Sequence, residues 1–433
     1  MSKSTSPRYS RRSVLALGAA AAGAIAGGLA GCSQPSTGSS GRVELRFAYW
    51  GNAVRQKLTT QAVKVFQQTH PGIRVSLEFG QIEGYFDKLA TQMAANDAPD
   101  VFQMNEKFLP EYARREALLD LKNVNVANFT PGTREPGVSN GALVGINAGV
   151  NAPTILANPA VFRAAGVDLP DDRTWTWNDL ADLSARLTAA RPGTRGMASM
   201  VAQDAALGVY LRQFGAALFV GDKLGFTAAH LASWFDFNLG LLKRGSVPPA
   251  AESTEDVAAP IGQRGFAQQR YAMAPDYSNL LAVYDDASGE EIRPLRYPTC
   301  TGKTGDGRLW LRASMFWSGS SRTRHPAQAQ ALIDFLANSN EAGEVLLAER
   351  GLPPNKKVSE HIADALPPPD QRAVDYLESI APELGPAPDP IPAGGGELPG
   401  VLARHASEVM FGRLPSNEAA QRMVDELQAN LWQ

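Results

Sequence analysis

The sequence predicts an α/β fold with a parallel sheet in its amino-terminal part. Between residues 43 and 104, apolar residues recur first at every second position and then at every third or fourth, and the two patterns alternate. The first pattern is typical of strands and the second of helices. Strands that alternate with helices are joined by right-handed crossovers, so they lie parallel in one sheet with helices on both faces.

Each element of this βαβαβ unit can be located from its pattern. The expected order is a strand over 43–49, a helix over 55–69, a strand over 73–79, a helix over 85–96 and a strand that begins at 101. Pro71-Gly72 ends the first helix, and residues 97–100 end the second. Further on, Pro326 opens a helix, residues 382–399 form a Pro/Gly-rich loop, and Ser416 caps a last helix that reaches Leu431.

Polar and aromatic side chains follow the predicted strands. Ligands of open α/β sheets bind beyond the carboxyl ends of the strands. Carboxamides donate and accept hydrogen bonds, and an indole offers flat apolar area to the C–H face of a sugar ring, so these ends predict a neutral, hydroxyl-rich ligand. Trp50 could instead close the top of the sheet, and Gln103 and Asn105 could cap turns. The set is Trp50, Asn52, Arg55, Gln81, Gln103 and Asn105.

Residues 10–32, SRRSVLALGAAAAGAIAGGLAGC, have the composition of an export signal. Arg11 and Arg12 precede an apolar run that is too weakly apolar and too rich in glycine to be a permanent membrane span. Paired arginines before such a run are typical of twin-arginine export, with the general secretory route as the alternative. Small residues directly before Cys32 resemble a bacterial lipobox, in which the cysteine is acylated; an ordinary signal peptide with an incidental cysteine is the alternative.

We therefore expect a signal peptide over 1–31, a flexible tether over 32–42, and a protein held on the outer face of the cytoplasmic membrane by lipid on Cys32. Removal of 1–31 takes away four basic residues and no acidic one, so the net charge falls from −3 to −7. Nucleic acid binding is not expected, because it calls for a basic face. Cys300 is then the single free thiol, expected to be a small buried apolar residue. Neither a metal nor a cofactor is expected, since the five histidines are scattered without metal-ligand spacing.

Seven stretches between residues 47 and 355 carry a family resemblance. They are FAYWGNAVR (47–55), VFQQTHPGIRV (65–75), YFDKLATQMAANDAPDVFQMN (85–105), NGALVGINAGVNAP (140–153), AAGVDLPDDRTWTWNDL (164–180), RGFAQQRYAMAPDYS (264–278) and ALIDFLANSNEAGEVLLAERGLPPN (331–355). Their order and spacing resemble those of the family 1 extracellular solute-binding proteins, lipoproteins that capture carbohydrates for ABC importers. The resemblance extends to the branch that takes up oligosaccharides, including pectin-derived ones.

The resemblance implies a two-lobe fold of the periplasmic-binding-protein type (type II), with ligand in the cleft between the lobes. Lobe 1 is expected over 43–150 and 313–352, and lobe 2 over 151–312 and 353–433. Hinge strands would cross between the lobes near 149–151, 312–315 and 351–354. The resemblance further implies a monomeric receptor, and not an enzyme, that passes its ligand to the transmembrane subunits of an ABC permease.

The resemblance also adds residues to the expected site. Asn151 matches the family's GVN signature, and Tyr277 matches a position where relatives present an aromatic ring to the sugar. Trp317, with Ser318 beside it, matches a cleft wall, and Tyr85 matches a position near the cleft. For each of these, core packing or a structural turn is the alternative. Three other tryptophans are expected in the core: Trp175, Trp177 and Trp234.

The predicted function is the capture of an oligosaccharide by closure of the two lobes, with Arg55, Gln103, Asn105 and Asn151 holding hydroxyl groups. One alternative is a receptor for another solute, such as a glycerophosphodiester or a peptide. A phosphate would call for a second cation near Arg55, which the sequence does not place. The other alternative is a secreted sugar-cleaving enzyme, which needs two carboxylates around the scissile bond. Glu106 is the one acid near the predicted strand ends.

Overall fold

The computed structural model describes residues 42–82, 84–139 and 141–431. The predictions of an export signal and of a lipid-bearing Cys32 fall on residues 1–41, which lie outside the described residues. Within the described ranges, no helix has the length and apolar character needed to cross a membrane.

The strands are β1 (Val43–Trp50), β2 (Ile73–Gly80), β3 (Val101–Met104), β4 (Val138–Ser139), β5 (Ala142–Leu143), β6 (Ile146–Asn147), β7 (Val150–Asn151), β8 (Pro153–Ala157), β9 (Arg195–Met197), β10 (Phe219–Val220), β11 (Lys223–Leu224), β12 (Tyr271–Tyr277), β13 (Arg293–Leu295), β14 (Arg312–Ala313) and β15 (Phe316–Gly319). The helices are α1 (Ala53–Thr69), α2 (Tyr85–Ala94), α3 (Leu109–Arg114), α4 (Pro159–Ala165), α5 (Trp177–Ala190), α6 (Asp204–Gln213), α7 (Ala228–Lys243), α8 (Ala250–Ala258), α9 (Leu281–Ser288), α10 (Pro326–Asn338), α11 (Asn340–Leu346), α12 (Lys356–Ile362), α13 (Pro368–Ile380), α14 (Leu398–Met410) and α15 (Ser416–Leu431).

Lobe 1 is built on a sheet with the strand order β2-β1-β3-β15-β6. β1 pairs in parallel with β2 and β3, which confirms the parallel arrangement expected from the alternating pattern. β15 joins the sheet antiparallel to β3, and β6 pairs antiparallel with β15. Alternation along β1 sends Phe47 to the face covered by α1 and α10, and Trp50 to the face covered by α2.

Lobe 2 is built on a second sheet with the order β13-β8-β12-β9. Its large core includes Trp234, which is fully buried and donates a hydrogen bond from Nε1 to the Val201 carbonyl oxygen at 2.9 Å. Thr176 caps α5 through a reciprocal bond with Asp179, and Trp177, the first residue of that helix, is buried. The core positions expected for these tryptophans, and for the buried Trp175, are confirmed.

Three segments lie side by side between the two sheets. β7 pairs antiparallel with β14, which places Asn151 opposite Arg312, and Leu352 bridges Val150. These are the three segments expected to cross between the lobes. Gly149, directly before β7, lies so near the third segment that a Cβ on it would overlap the carbonyl oxygen of Arg350. A residue with a side chain cannot occupy that position without moving the backbone.

The contacts of α12 bear on where the second lobe resumes. Val358 and Ile362 of this helix lie against Gly343 of α11 in lobe 1, whereas α13 packs on α9 and β13 of lobe 2. We propose that the chain stays with lobe 1 through α12 and enters lobe 2 at α13, rather than at residue 353. The expectation that Cys300 is buried was wrong, because this thiol is exposed.

Candidate functional site

A cavity of 240 Å³ lies between the two lobes. Lobe 1 contributes residues 105–107, which follow β3, and lobe 2 contributes Asp204 at the start of α6 and Tyr277 at the end of β12. Trp310 and Arg312 reach the cavity from the returning hinge segment, and the Pro/Gly-rich loop closes another side. Strand ends from both lobes therefore meet here, as expected for ligand sites of α/β sheets.

The cleft continues on the other side of that loop. A second cavity, of 590 Å³, lies between Leu109 and Val138 of lobe 1 and residues 390–393 of lobe 2. Ile391 lines both cavities. A further cavity of 380 Å³, between α2 and α3, is walled by lobe 1 alone. Of these three, the first two can hold a ligand that touches both lobes.

Arg312 is the central charged group of the 240 Å³ cavity. Its Nε donates to Oε2 of Glu106 at 2.9 Å, and its guanidinium group stands 4.5 Å from the ring centre of Tyr277. Both members of the ion pair keep some exposure, 25% for the arginine and 30% for the glutamate. Burial lowers the pKa of Arg312, but Tyr277, Glu106 and Asp204 together raise that pKa above its ordinary value, so the group stays cationic.

Two aromatic rings supply the flat apolar surface of the cavity. Burial raises the pKa of Tyr277 above its ordinary value, so the phenol keeps its proton and can donate. The backbone N–H of Tyr277 donates to Asp276 at 3.0 Å, which fixes the end of β12. Trp310 is buried, with the guanidinium group of Arg212 5.1 Å from its ring centre. Such rings can stack on a sugar while polar neighbours bind its hydroxyl groups.

Of the residues expected in the site, the structure brings Asn105 and Tyr277 into this cavity. Asn105 also accepts a hydrogen bond from the Lys107 backbone at 2.8 Å, so it caps a turn as the alternative proposed. Asn151 lies at the hinge opposite Arg312, and its buried Oδ1 has no hydrogen-bond partner among the described residues. Asn151 is 1% exposed and does not line the cavity, so a ligand does not reach this acceptor in the present arrangement of the lobes.

Trp50 and Tyr85 lie in the core of lobe 1 and do not line the inter-lobe cavity. Trp50 is 7% exposed, and its ring centre is 5.0 Å from that of Tyr85 and 5.4 Å from that of Phe86. The Tyr85 hydroxyl donates to the carbonyl oxygen of Gln103 at 2.9 Å. The alternation of β1 turns Trp50 toward α2, so its contacts are those of a residue that closes the sheet and not of a sugar platform.

Asn52 and Arg55 are engaged within lobe 1. Asn52 caps α1 by accepting from the Arg55 backbone at 2.9 Å. The Arg55 side chain pairs with Glu349 at 2.8 Å, and Arg350 pairs with the same carboxylate at 2.9 Å. The structure thus places a second cation near Arg55, which the sequence did not reveal, but one carboxylate engages both.

Gln103 and Gln81 occupy different surroundings. Gln103 is buried, donates to the Trp50 carbonyl oxygen at 3.4 Å and accepts from Arg350 at 3.4 Å. Gln81 is exposed and lines a separate cavity of 200 Å³ formed by lobe 1 alone. Neither lines the inter-lobe cavity in this structure.

Trp317 and Ser318 are core residues of the lobe 1 sheet. Trp317 is 1% exposed, with its ring centre 5.6 Å from that of Phe47 and 4.8 Å from the Arg350 guanidinium group. Ser318 is fully buried and donates to the Val144 carbonyl oxygen at 2.9 Å. The position of β15 between β3 and β6 explains this burial, so a cleft wall at these residues is not what the structure shows.

Several cavity residues were not among the residues expected to bind ligand. Two signals could have found part of this set. Arg312 begins a predicted crossing, with Trp310 two positions before it, and Asp204 begins the helix that follows a strand of lobe 2. Nothing local, however, indicates that Arg312 meets Glu106, which is 206 positions away in the chain. The set includes Glu106, Asp204, Trp310 and Arg312.

Comparison with known proteins identifies the family. The family model described as bacterial extracellular solute-binding protein matches residues 49–342. The chain belongs to this family. Its members are substrate-binding proteins of ABC transporters and not enzymes. In the described part of the chain, no group of three or more histidine, cysteine, aspartate or glutamate side chains could hold a metal ion.

Solved structures show the same fold as this solute-binding protein. A family 1 extracellular solute-binding protein from Alicyclobacillus acidocaldarius is 27% identical, with a TM-score of 0.71 over 92% of this chain and all of that one. An oligogalacturonide-binding protein from Yersinia enterocolitica, in complex with saturated digalacturonic acid, is 20% identical, with a TM-score of 0.77 over 90% of this chain and 100% of that chain. An ABC substrate-binding protein from Listeria monocytogenes, in complex with cycloalternan, is 19% identical, with a TM-score of 0.75 over 90% of this chain and 99% of that chain.

One curated relative is a lipoprotein. It is an uncharacterized lipoprotein in the oleD 5′ region of Streptomyces antibioticus, 29% identical over 178 residues. The match covers 39% of this chain and 38% of the relative, so the solute-binding protein spans well under half of that relative's length.

Proposed function

We propose that this solute-binding protein captures an oligosaccharide and delivers it to an ABC permease. The observation that carries the proposal is the cavity between the lobes, where Tyr277 and Trp310 provide apolar faces beside Asn105, Asp204 and Arg312. A sugar ring has two apolar C–H faces and a rim of hydroxyl groups that both donate and accept. The cavity offers a matching surface to each.

Lobe closure is the proposed mechanism of capture. A ligand in this cavity touches residues 105–107 of lobe 1 and Tyr277 of lobe 2 at the same time. It therefore binds the closed arrangement more tightly than an open one and shifts the population toward closure. The paired segments β7 and β14, with Leu352 beside them, are the elements about which the lobes would move.

The size of the cleft supports an oligosaccharide rather than a single sugar. The 240 Å³ cavity is followed by one of 590 Å³, and Ile391 lies between them. The digalacturonic acid and cycloalternan carried by the relatives from Yersinia enterocolitica and Listeria monocytogenes are of this length class, which supports the proposal.

A phosphate-bearing ligand is a weaker candidate because the cations are already paired. Arg55 and Arg350 share Glu349, and Arg312 is bound to Glu106. A phosphodiester would have to compete with one of these carboxylates for a guanidinium group.

We further propose that the mature protein is a monomer anchored by lipid on Cys32, on the outer face of the cytoplasmic membrane. The family and the lipoprotein relative support export and membrane association. Arg11 and Arg12 favour the twin-arginine route of export.

A thermal-shift screen tests the proposed function. The mature protein would be melted with a panel of monosaccharides, oligosaccharides, glycerophosphodiesters and short peptides. A ligand that binds only the native state stabilises it by about 2.7 kcal/mol at 100 times its Kd, so the melting temperature should rise with one or more oligosaccharides. A rise confined to phosphodiesters or peptides would contradict a carbohydrate receptor. Release of smaller sugars from the panel would instead indicate an enzyme.

A further inference from the structure

We infer that the inter-lobe cavity accepts uncharged saccharides and rejects saccharides that carry carboxylates, such as uronates. The inference rests on the proposed function, since it concerns which carbohydrate the same cavity takes. It follows from the balance of paired and unpaired charges around the cavity.

Both cations of the cavity already have a carboxylate partner. Arg312 is bound to Glu106 at 2.9 Å, and Lys107 lies 3.9 Å from Glu397. The guanidinium group of Arg312 also stands against the Tyr277 ring, so one of its faces is covered as well. Among the described residues of the cavity wall, each cation therefore already has a carboxylate no farther than 3.9 Å away.

Two carboxylates of the cavity form no ion pair with a cation of the described residues. Asp204 accepts a hydrogen bond from the Ala205 backbone at 2.9 Å, and Asp389 accepts one from the Gly221 backbone at 2.9 Å. Both line the cavity. With the paired charges cancelled, its wall carries an excess of negative charge.

A uronate would be disfavoured on two counts. Its carboxylate would lose its hydration and would lie beside the two unpaired carboxylates of the cavity. Loss of hydration and nearby like charge each disfavour the ionised form. At Arg312 it would have to share the guanidinium group with Glu106, whose like charge lies beside the same site. A hydroxyl group meets neither obstacle, because it can donate to Asp204 in a charge-assisted hydrogen bond.

Paired ligands that differ only at C6 test the inference directly. Galactobiose, cellobiose and maltose would each be titrated calorimetrically beside the form whose C6 hydroxymethyl groups are carboxylates. For the wild-type protein we expect the carboxylate form of the bound disaccharide to have a Kd at least tenfold higher than that of the neutral form. The ratio of the two Kd values is the readout, because it cancels any general loss of binding.

The variant Glu106→Gln examines the charge argument itself. It removes the carboxylate that occupies Arg312 and lowers the negative charge of the cavity, so the ratio of carboxylate to neutral Kd should fall by about tenfold or more. Glu111→Gln is the matched control. It makes the same change of net charge in a surface pair with Arg115 at 2.7 Å, outside the cavity, and should leave the ratio unchanged.

The outcomes separate this inference from the proposed function. A wild-type protein that binds the carboxylate form as tightly as the neutral one, or more tightly, overturns the inference and leaves a carbohydrate receptor intact. A fall in the ratio for Glu111→Gln equal to that for Glu106→Gln also overturns it, since the effect would then be one of overall charge. Binding of neither form of any pair counts against the carbohydrate function, and the inference falls with it.

Discussion

What its ring faces decides between the two roles open to an aromatic residue in this protein. Trp50 follows a predicted strand and has the chemistry of a sugar platform, but it is 7% exposed and packed between Tyr85 and Phe86. Tyr277 also ends a strand, yet its ring faces Arg312 at the cavity between the lobes. The two residues therefore offer a direct contrast between a loss of stability and a loss of binding.

We expect Trp50→Ala to lower stability and Tyr277→Ala to lower the affinity for ligand. Truncation of the buried Trp50 should lower the free energy of unfolding by about 3–5 kcal/mol and leave the affinity of the folded fraction nearly unchanged. Truncation of Tyr277 should weaken oligosaccharide binding by roughly 30-fold, the effect of losing an aromatic anchor worth about 2 kcal/mol. Melting and calorimetric titration of the same preparations give both quantities. If folded Trp50→Ala binds oligosaccharide weakly, Trp50 belongs to the binding site after all.

Asp276 makes stability depend on pH at the base of the site. Its side chain is 13% exposed, accepts from the Tyr284 hydroxyl at 2.9 Å and lies 4.0 Å from Arg264. Burial raises the pKa of this carboxyl above its ordinary value, in spite of these partners. The native state thus binds the proton more tightly than the unfolded state, and this stabilisation is lost as the pH rises through the native pKa.

Asp276→Asn should therefore gain stability relative to the wild type as the pH rises from about 4 to 7, because asparagine cannot ionise. The measurement is the difference in unfolding free energy between the two proteins at several pH values. The exposed Asp364 provides a control substitution, Asp364→Asn, whose difference from the wild type should change less with pH. The unfolding free energy of Asp276→Asn relative to the wild type could instead stay constant or fall over this pH range. That result would show that burial does not dominate the pKa of this carboxyl.

The hinge is the element on which the proposed capture by lobe closure depends, and its packing is tight. β7, β14 and residue 352 lie next to one another, and the position of Gly149 allows no side chain beside the Arg350 carbonyl oxygen. Arg350 is itself buried, donates to the Thr59 hydroxyl at 2.8 Å and pairs with Glu349. The third crossing is thereby held to the sheet and helix of lobe 1.

Gly149→Ala should destabilise the protein by about 1–3 kcal/mol, because a methyl group there forces the adjacent backbone apart. Gly240→Ala is the matched control. Gly240 lies within α7, where a methyl group would point into open space, so alanine should leave stability unchanged or raise it by up to about 1 kcal/mol. Thermal melts of both variants check the pair. Equal melting temperatures for Gly149→Ala and the wild type would mean that the hinge has room to adjust.

At the scale of the whole molecule, the two lobes are joined by more than the hinge. Glu106 of lobe 1 holds Arg312, and Lys107 beside it approaches Glu397, which lies in the Pro/Gly-rich loop of lobe 2. Three of these residues, Glu106, Lys107 and Arg312, also wall the cavity, so the proposed binding of a ligand and approach of the lobes would involve the same groups. A receptor of this kind must also stay near its permease, which is the role we propose for the lipid.

Cys32→Ala should abolish labelling with a radioactive fatty acid and release the protein from the membrane fraction. The reason is that the thiol of Cys32 is the proposed site of acylation. Cys300→Ala is the control, because it removes the other cysteine of the chain and should leave labelling unchanged. Retention of Cys32→Ala in membranes at the wild-type level would show that the lipobox assignment is wrong.

The sequence by itself determined the elements whose signals are local. Alternation and helical spacing predicted β1 to β3 and the two helices between them, to within a few residues of their observed ends. The family resemblance predicted three crossing segments, which the structure places side by side, and Tyr277, which lines the cavity together with the strand-end residue Asn105. The strands and helices could be predicted because periodicity reports which face of an element is apolar.

Only the tertiary structure decided what covers each of those faces. Insertion of β15 between β3 and β6 turned Trp317 and Ser318 from expected cleft residues into core residues, and the cover of α2 did the same to Trp50. Likewise, the pairing of Arg312 with Glu106, which sets the charge of the cavity, joins positions 206 apart in the chain. A residue's sequence neighbours do not specify contacts of that separation, since such contacts depend on how whole elements pack against one another.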